Sequence, residues 1–231
     1  RVPPLRPLFD PLAAAAPGLV GLCVQEETAE GWRRRARLGE EAVEEKVGES
    51  RLRVSAGAPF PISGTAAAAL AEEVLALADL AGAERVLDLH CGVGVFTVPL
   101  GQKAAAIVGV EENGTAVADA RHNVRANGCR QGRIWEGTPE AFLAAEEARQ
   151  AWDLAVLAPP ATGLSRRGLE GVAALAAPRL LYVGCDVSTF ARDLARLREK
   201  GYSLEALQPL DCLPQTYHLE VVARLAREGA G

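Results

Sequence analysis

Residues 85–96 read Arg-Val-Leu-Asp-Leu-His-Cys-Gly-Val-Gly-Val-Phe, an apolar run that passes directly into a turn with two glycines. The run from Val86 to Leu89 is typical of a buried strand, and the residues after Gly94 can begin a helix. Glycines at such a turn let a ligand approach the backbone closely, because no Cβ occupies the space. In open α/β sheets, ligands bind outside the carboxyl ends of the strands. The segment therefore predicts a ligand-binding α/β domain.

Outward from this turn, short apolar runs alternate with helical patterns. The predicted strands are 86–89, 106–110, 132–136, 154–157 and 180–184, and the helical patterns lie near 95–102, 114–127, 139–149, 165–176 and 188–199. This alternation indicates a mostly parallel sheet covered by helices on both faces. Only a loop joins two further runs, 202–210 and 219–225, so we expect them to pair antiparallel at the sheet edge.

The first part of the chain has a different pattern. Short extended runs at 19–25, 32–38 and 51–55 predict a small partial α/β module over residues 1–55. A long helix follows, which Ser63 or Thr65 can cap and which runs to about Leu80. We therefore expect a second domain over residues 56–231. The chain contains no Met and begins at Arg1, so we expect a fragment or a missing N-terminus.

Composition excludes several classes of protein. The chain is 49% hydrophobic and 24% charged, and its longest apolar runs fall short of the roughly 18 residues of a membrane span. Its five cysteines include no C-x-x-C pair, which predicts a cytoplasmic protein without a metal or cluster. The net charge of -5 argues against general nucleic-acid coating. The arginines at 33–37 and 51–53 are either a local basic surface or a solvated strand face.

The glycine turn favours one cofactor over another. A dinucleotide fingerprint needs a third glycine at position 97, which is Thr97, so NAD is disfavoured. Glu111 ends the next predicted strand about 20 residues past the glycines, where a carboxylate can accept ribose hydroxyls. This combination fits S-adenosylmethionine. The alternative is a tight turn followed by surface acids.

Two side chains predict the chemistry. Cys185 ends the fifth strand beside a predicted helix start, a position that can lower the pKa of a thiol, although a single Cys is often only a small buried hydrophobe. Glu220 lies in an apolar run and is costly to bury unless it faces a polar site; His218 shares its face if the segment is extended. A thiolate that adds to C6 of uracil makes C5 nucleophilic, and a base must then remove the C5 proton.

These strings together resemble the class I bacterial 5-methyluridine RNA methyltransferases, most specifically at Pro-Gln-Thr-Tyr-His-Leu-Glu over residues 214–220. The resemblance implies a Rossmann-like methyltransferase domain that binds S-adenosylmethionine and acts on tRNA or rRNA. The sequence does not give the oligomeric state, for which we expect a monomer. It implies a nucleophile, Cys185, and a general base, Glu220. The implied cofactor residues are Asp88, Gly92, Gly94, Phe96, Glu111 and Thr138, and the implied substrate residues are Phe60, Ala158, Pro159 and His218.

The chain departs from the family pattern at several polar positions. Phe-Gln-x-Asn is replaced by residues 60–63, Phe-Pro-Ile-Ser, and Gly-Asp by Gly137-Thr138. Asp-Pro-Pro-Arg is replaced by residues 158–161, Ala-Pro-Pro-Ala, and Ser-Cys-Asp-Pro by residues 184–187, Gly-Cys-Asp-Val. Two alternatives therefore stay open: a non-catalytic RNA-binding or assembly module, and a methyltransferase for another substrate.

Overall fold

A computed structural model describes residues 4–28 and 31–229. Its helices are α1 (Arg6–Ala15), α2 (Gly64–Ala78), α3 (Thr97–Gly101), α4 (Gly114–Ala126), α5 (Pro139–Ala144), α6 (Arg166–Leu175) and α7 (Val187–Glu199). Its strands are β1 (Gly21–Thr28), β2 (Gly31–Gly39), β3 (Ala42–Val47), β4 (Ser50–Ser55), β5 (Arg85–Leu89), β6 (Ala106–Glu111), β7 (Gly132–Glu136), β8 (Leu154–Leu157), β9 (Arg179–Gly184), β10 (Tyr202–Leu210) and β11 (Glu220–Arg227).

Seven strands form the central sheet, in the order β10-β11-β9-β8-β5-β6-β7. The strands from β9 to β7 in this order are parallel, whereas β11 runs antiparallel to both β9 and β10. The predicted parallel sheet with an antiparallel edge is therefore confirmed. Because the connections between parallel strands cross over, the carboxyl ends of β5, β6, β8 and β9 meet at one edge of the sheet.

The sheet is buried on both faces, as its continuous apolar runs predict. All four residues of β8 are buried, and so are Val86–Leu89 of β5. Neighbouring residues on a strand point to opposite faces, so Val86 packs in one core cluster and Leu87 in the other. The first cluster includes residues of α2, α3 and α4, and the second includes residues of α5, α6 and α7.

Some element bounds differ from the prediction for identifiable reasons. The helix α1 was not expected, because it contains Pro11 and buries no side chain. The helix expected near 95–102 is only Thr97–Gly101, since the glycine turn continues to Phe96. The one expected over 139–149 breaks at Ala145, whose extended backbone separates α5 from a short 3-10 helix, Glu146–Arg149.

The N-terminal strands form two hairpins that are separate from the central sheet. The hairpin β1–β2 carries the arginine-rich segment, whose Arg34 and Arg37 pair with Glu41 while Arg35 pairs with Glu26. These pairs contribute little stability, but their two carboxylates offset most of the positive charge of the three arginines. The described part of this segment is thus a solvated strand face; the side chain of Arg33 lies outside the described residues. The domain boundary at 55/56, where β4 ends, stays a prediction.

The hairpin β3–β4 is attached to α4 by three side chains spaced one helical turn apart, which we call the polar ladder: Asp119, Asn123 and Asn127. Their oxygens accept the backbone N–H groups of alternate residues of β4, at 2.6 Å from Ser55, 2.7 Å from Arg53 and 3.1 Å from Arg51. Both asparagines also donate to the carbonyls of their strand residues at 2.9 Å.

The spacing of the polar ladder follows from the advance per residue along the helix α4 and along the strand β4. Four helical residues advance about 6.0 Å, and two strand residues advance about 6.6 Å. The helix therefore presents polar groups in register with the edge of β4. Asp119 and Asn123 are buried, so water cannot replace their hydrogen bonds.

Among the residues that the structure describes, no helix combines the length and the hydropathy that a membrane crossing needs.

Candidate active site

The turn after β5 has the backbone that its glycines allow. Gly92 and Gly94 have φ values of 55° and 96°, in the left-handed region that glycine adopts readily. His90 also lies there, with φ of 64°, which for a residue with a Cβ costs roughly 1–2 kcal/mol. The side chain of Asn123 fixes the turn from below by donating to the carbonyl of Val93 at 2.9 Å.

Glu111 closes the turn against the end of β6. One carboxylate oxygen accepts the N–H of Gly92 at 2.9 Å, and the other accepts those of Glu112 and Asn113 at 3.1 and 2.8 Å. A carboxylate offers about four acceptor positions, so roughly one is left for a ligand hydroxyl. Glu111 therefore shapes the turn at least as much as it can hold a ribose.

Asp88 carries an unsatisfied acceptor beneath the turn. Its side chain is fully buried, and Thr97 donates to Oδ2 at 2.5 Å. Within the described residues Oδ1 has no hydrogen-bond partner. The pKa of Asp88 is raised to about 7: burial is the largest cause, the hydrogen bond from Thr97 opposes it, and the charge of Glu111 adds to it. An orphaned buried acceptor beside a glycine turn fits a ligand that brings a donor, such as the ammonium group of S-adenosylmethionine.

The raised pKa of Asp88 predicts a pH-dependent stability. The group ionises near 3.8 in the unfolded chain and near 7 in the folded one. Between these values the folded state binds more protons, so the free energy of unfolding falls as pH rises, by about 1.4 kcal/mol per pH unit. Asp88→Asn should remove this slope. Relative to wild type, the variant should gain roughly 3 kcal/mol between pH 5 and pH 8 in urea unfolding without cofactor. A constant difference would contradict the burial argument.

A cavity of about 310 Å³ opens above the turn at the carboxyl edge of the sheet. Its lining residues are Pro59, Phe60, Pro61, Leu70, His90, Cys91, Gly92, Val93, Val95, Phe96, Ala158, Pro159, Val183, Cys185 and Glu220. The cavity thus brings together both predicted catalytic residues, three of the predicted substrate residues, and Gly92 and Phe96 of the predicted cofactor set.

Strand pairing explains why the thiol and the carboxylate meet. In the antiparallel pair of β9 and β11, Gly184 lies opposite Val221, so Cys185 and Glu220 are the next facing positions beyond it. Both are partly buried at the cavity wall. A reactive thiol and a possible base are therefore fixed on neighbouring strand ends.

The electrostatics of Cys185 differ from the sequence prediction. Burial raises the pKa of its thiol, and the charge of Glu220 raises it further. The expected lowering by the helix start was wrong, because burial and the charge of Glu220 outweigh it. Asp186, which caps α7 by accepting the N–H of Thr189 at 2.8 Å, adds a smaller charge effect in the same direction. Burial also raises the pKa of Glu220, which makes this carboxylate a stronger base once it is ionised.

The remaining predicted residues lie outside the cavity lining. Asp88 lies in β5, Gly94 is part of the turn itself, and Glu111 accepts the N–H of Gly92. Thr138 caps α5 by accepting the N–H of Ala141 at 3.1 Å. His218 precedes the strand that begins at Glu220, so the two do not share one extended segment; His218 is exposed and stacks on the ring of Tyr217.

His90 is a site residue that the sequence argument missed. It lines the 310 Å³ cavity and also another one of about 210 Å³, which is bordered by Glu112, Pro139, Glu140 and Pro160. Burial lowers the pKa of His90 despite the nearby acids, so the ring between the two cavities is neutral. A non-glycine residue inside a tight glycine turn was the available signal.

The polar groups around the cavity are not arranged for a metal. Within residues 4–28 and 31–229, no three His, Cys, Asp or Glu side chains form a possible metal site. The thiols of the described residues are all free. What the site offers instead is a glycine turn with a buried acid beneath it, and a thiol paired with a carboxylate.

The sheet order, the reversed strand β11 and the glycine turn define a Rossmann-like methyltransferase fold. The fold is similar to that of the tRNA (uracil-54, C5)-methyltransferase of Pyrococcus abyssi, whose structure contains S-adenosyl-L-homocysteine. The TM-score is 0.75 at 23% identity, and the match covers 98% of this chain and 54% of that one. The chain belongs to the tRNA (uracil-5-)-methyltransferase family, whose model matches residues 66–228.

Two curated relatives are named only as RNA methyltransferases. The chain is 35% identical over 228 residues to one from Gloeobacter violaceus, covering 96% of this chain and 49% of that protein. It is 34% identical over 192 residues to one from Aquifex aeolicus, covering 83% of this chain and 44% of the relative. The chain thus spans about half the length of the curated relatives it matches.

Proposed function

We propose that this chain binds S-adenosylmethionine and methylates C5 of a uridine in RNA through a covalent adduct with Cys185. The observation that carries the proposal is the placement of Cys185 and Glu220 on one cavity wall beside the glycine turn. When bound, S-adenosylmethionine supplies an electrophilic methyl group. The family identity supports the cofactor and the substrate class.

The residues of the cavity have distinct tasks in this reaction. The Cys185 thiolate forms a bond to C6 of the uracil, which places negative charge on the ring and makes C5 nucleophilic. After C5 has gained the methyl group, Glu220 accepts the C5 proton, and the electron pair of that bond expels the thiolate from C6. The partly buried carboxylate suits this step because burial raises its pKa.

The cofactor residues fit S-adenosylmethionine in a way that can be tested. Gly92 leaves space near the backbone, Glu111 keeps an acceptor position, and Asp88 keeps an unpartnered oxygen. The apolar Phe96 and Pro59 border the same space. Thr138 stays a proposed cofactor residue, since its hydroxyl can still donate while it accepts from Ala141.

Glu111→Ala should weaken the binding of S-adenosylhomocysteine by about 1.5–3 kcal/mol, measured by calorimetry, because a charged acceptor is lost. Part of this loss comes from the turn itself, whose N–H groups lose their acceptor. Glu44→Ala, which removes an exposed acid on β3, is the matched control and should bind normally. No heat with wild-type protein would overturn the cofactor assignment.

A direct test of the proposed reaction uses cellular RNA. Nucleoside mass spectrometry of RNA from a strain without the gene should show the loss of one 5-methyluridine, and the purified protein with labelled S-adenosylmethionine should restore it. Unchanged RNA, or a lost methyl group on another nucleoside, would reject the uracil assignment.

A second candidate function is a non-catalytic RNA-binding module. The observation that favours it is the apolar cavity wall: the side chains of Ala158, Pro159 and Pro61 offer no hydrogen bond to the edge of a base. The polar side chains of the lining are His90, Cys91, Cys185 and Glu220. An intact cofactor site without any covalent adduct is the result that would favour this reading.

A further inference from the structure

Exposed hydrophobic side chains lie close in the sequence to residues that line the 310 Å³ cavity. Among the large hydrophobic residues that the structure describes, Tyr217 and Ile62 are the most exposed, at 88% and 69%, and Val187 is 50% exposed. Each lies within three residues of a lining residue, respectively Glu220, Pro61 and Cys185. Apolar groups exposed next to a cavity indicate a surface that a partner covers.

The ring of Tyr217 is exposed and contacts the ring of His218. It stacks on His218 with ring centroids 4.2 Å apart and an interplanar angle of 35°. The loop beneath is braced by Thr216, whose hydroxyl donates to the carbonyl of Leu213 at 2.7 Å and accepts the N–H of His218 at 3.2 Å. A preorganised aromatic surface loses little conformational freedom on binding.

The surrounding charges select the kind of contact. The backbone N–H of Thr189 lowers the pKa of Asp186, to which His218 adds, and burial raises the pKa of Glu220 against the opposing charge of His218. His218 therefore lies close to both acids. These acids repel phosphate groups, whereas a base of any type can stack its face on an aromatic ring. The partner that fits this surface is the base of an unstacked nucleotide rather than the phosphate backbone of a duplex.

We propose that Tyr217, supported by His218, is a stacking platform for an RNA base that neighbours the base entering the cavity. This inference rests on the proposed function, because the occupant of the cavity fixes where the neighbouring base lies. A target base taken out of its stack leaves its neighbours without a partner. Tyr217 would replace the stacking that the neighbour loses.

The test is a coupling experiment on RNA affinity. The probe is a fluorescent RNA hairpin with one 5-fluorouridine in its loop, together with versions in which one flanking nucleotide at a time is abasic. Affinities are measured by anisotropy with S-adenosylhomocysteine for wild type, Tyr217→Ala and Tyr217→Phe. Val43→Ala, which shortens an exposed hydrophobic side chain on β3, is the control.

Tyr217→Ala should bind the intact hairpin about tenfold more weakly, whereas Tyr217→Phe should stay within about twofold of wild type. One abasic position should weaken wild type by a similar factor and leave Tyr217→Ala unaffected. Full affinity of Tyr217→Ala for the intact hairpin would overturn the platform. So would an abasic position that weakens Tyr217→Ala by the same factor as it weakens wild type.

The same hairpin separates this inference from the proposed function when S-adenosylmethionine replaces S-adenosylhomocysteine, because the 5-fluorouridine adduct is trapped only after methyl transfer. An adduct between wild type and the 5-fluorouridine hairpin, without coupling at Tyr217, rejects the platform alone. Coupling at Tyr217 without any adduct supports the platform and rejects uracil methylation. Wild-type protein that binds no RNA hairpin, tRNA transcript or rRNA fragment overturns both.

Discussion

Cys185→Ala is expected to abolish the covalent complex that wild-type protein forms with RNA containing 5-fluorouridine at the target. Fluorine at C5 cannot be removed as a proton can, so the bond between sulfur and C6 should persist after methyl transfer. The adduct is measured by denaturing gel electrophoresis and intact mass spectrometry in the presence of S-adenosylmethionine. Because burial and the charge of Glu220 raise the pKa of the thiol, the rate of adduct formation should increase as pH rises toward that pKa.

Cys212 provides the matched control for this experiment. It is also a partly buried thiol whose pKa is raised by burial and by Glu220, but it does not line the cavity. Cys212→Ala should keep the adduct. If Cys212→Ala instead removed the adduct and Cys185→Ala kept it, the nucleophile would be misassigned.

Glu220→Gln should produce the opposite effect on unmodified RNA. Addition and methyl transfer precede proton abstraction, so a variant without the base should stall as an adduct whose mass includes one methyl group. Rapid turnover by Glu220→Gln would show that another group removes the proton. Both variants should bind S-adenosylhomocysteine with nearly wild-type affinity, which excludes misfolding as the cause.

Ala158 and Ala161 leave room for a gain of function in the same assay. Ala158 lines the cavity, so an acid there can reach the edge of a bound base. Misplacement of a reactant by about 1 Å can cost on the order of a hundredfold in rate. Restoring Asp at position 158 and Arg at position 161 should therefore increase adduct formation if the base is poorly oriented. No adduct from either protein, with cofactor binding intact, would favour the binding-module alternative.

Asn123→Ala is expected to cause the largest loss of stability among the polar substitutions considered. The side chain is fully buried and makes hydrogen bonds to the N–H and carbonyl of Arg53 and to the carbonyl of Val93. Each buried group left without a partner costs about 1–3 kcal/mol, so we expect a total of about 3–5 kcal/mol in urea unfolding.

Asn127→Ala tests whether burial causes this loss. Asn127 makes the same pair of bonds to Arg51, but at an exposed position where water can replace them, so about 1 kcal/mol should be lost. Asn123→Ala should also weaken S-adenosylhomocysteine binding, because its amide supports the glycine turn. Equal stability of both variants would contradict the role of Asn123 as the buried link between hairpin and turn.

The sheet and the position of its ligand edge could be predicted because each depends on local patterns. Buried parallel strands such as Leu154–Leu157 are short apolar runs. The turn at Gly92 directly follows another of these runs, the strand β5. Cys185 and Glu220 were paired on their chemistry and on the resemblance, and the register of β9 and β11 now accounts for their proximity. The family resemblance therefore predicted more of the site than the hydrophobic periodicity of the sequence did.

Other features depend on contacts between segments that are remote in the sequence. The raised pKa of Cys185 comes from burial and from a charge on another strand, which a local pattern does not contain. The occupied carboxylate of Glu111 depends on three backbone groups that the turn brings together. β3 was missed because its middle residues, Glu44–Lys46, are all charged.

The polar ladder ties the lengths of two distant segments to each other. Inserting one residue between Asn123 and Asn127 would rotate the later side chain by about 100° around α4, away from β4. One extra residue in β4 would instead turn its alternate backbone groups toward the opposite side. Insertions and deletions in either element should therefore be tolerated only in compensating steps of two strand residues and four helical residues. Elsewhere, length variation should concentrate in the connecting loops, and aligned relatives can be inspected for this coupled spacing.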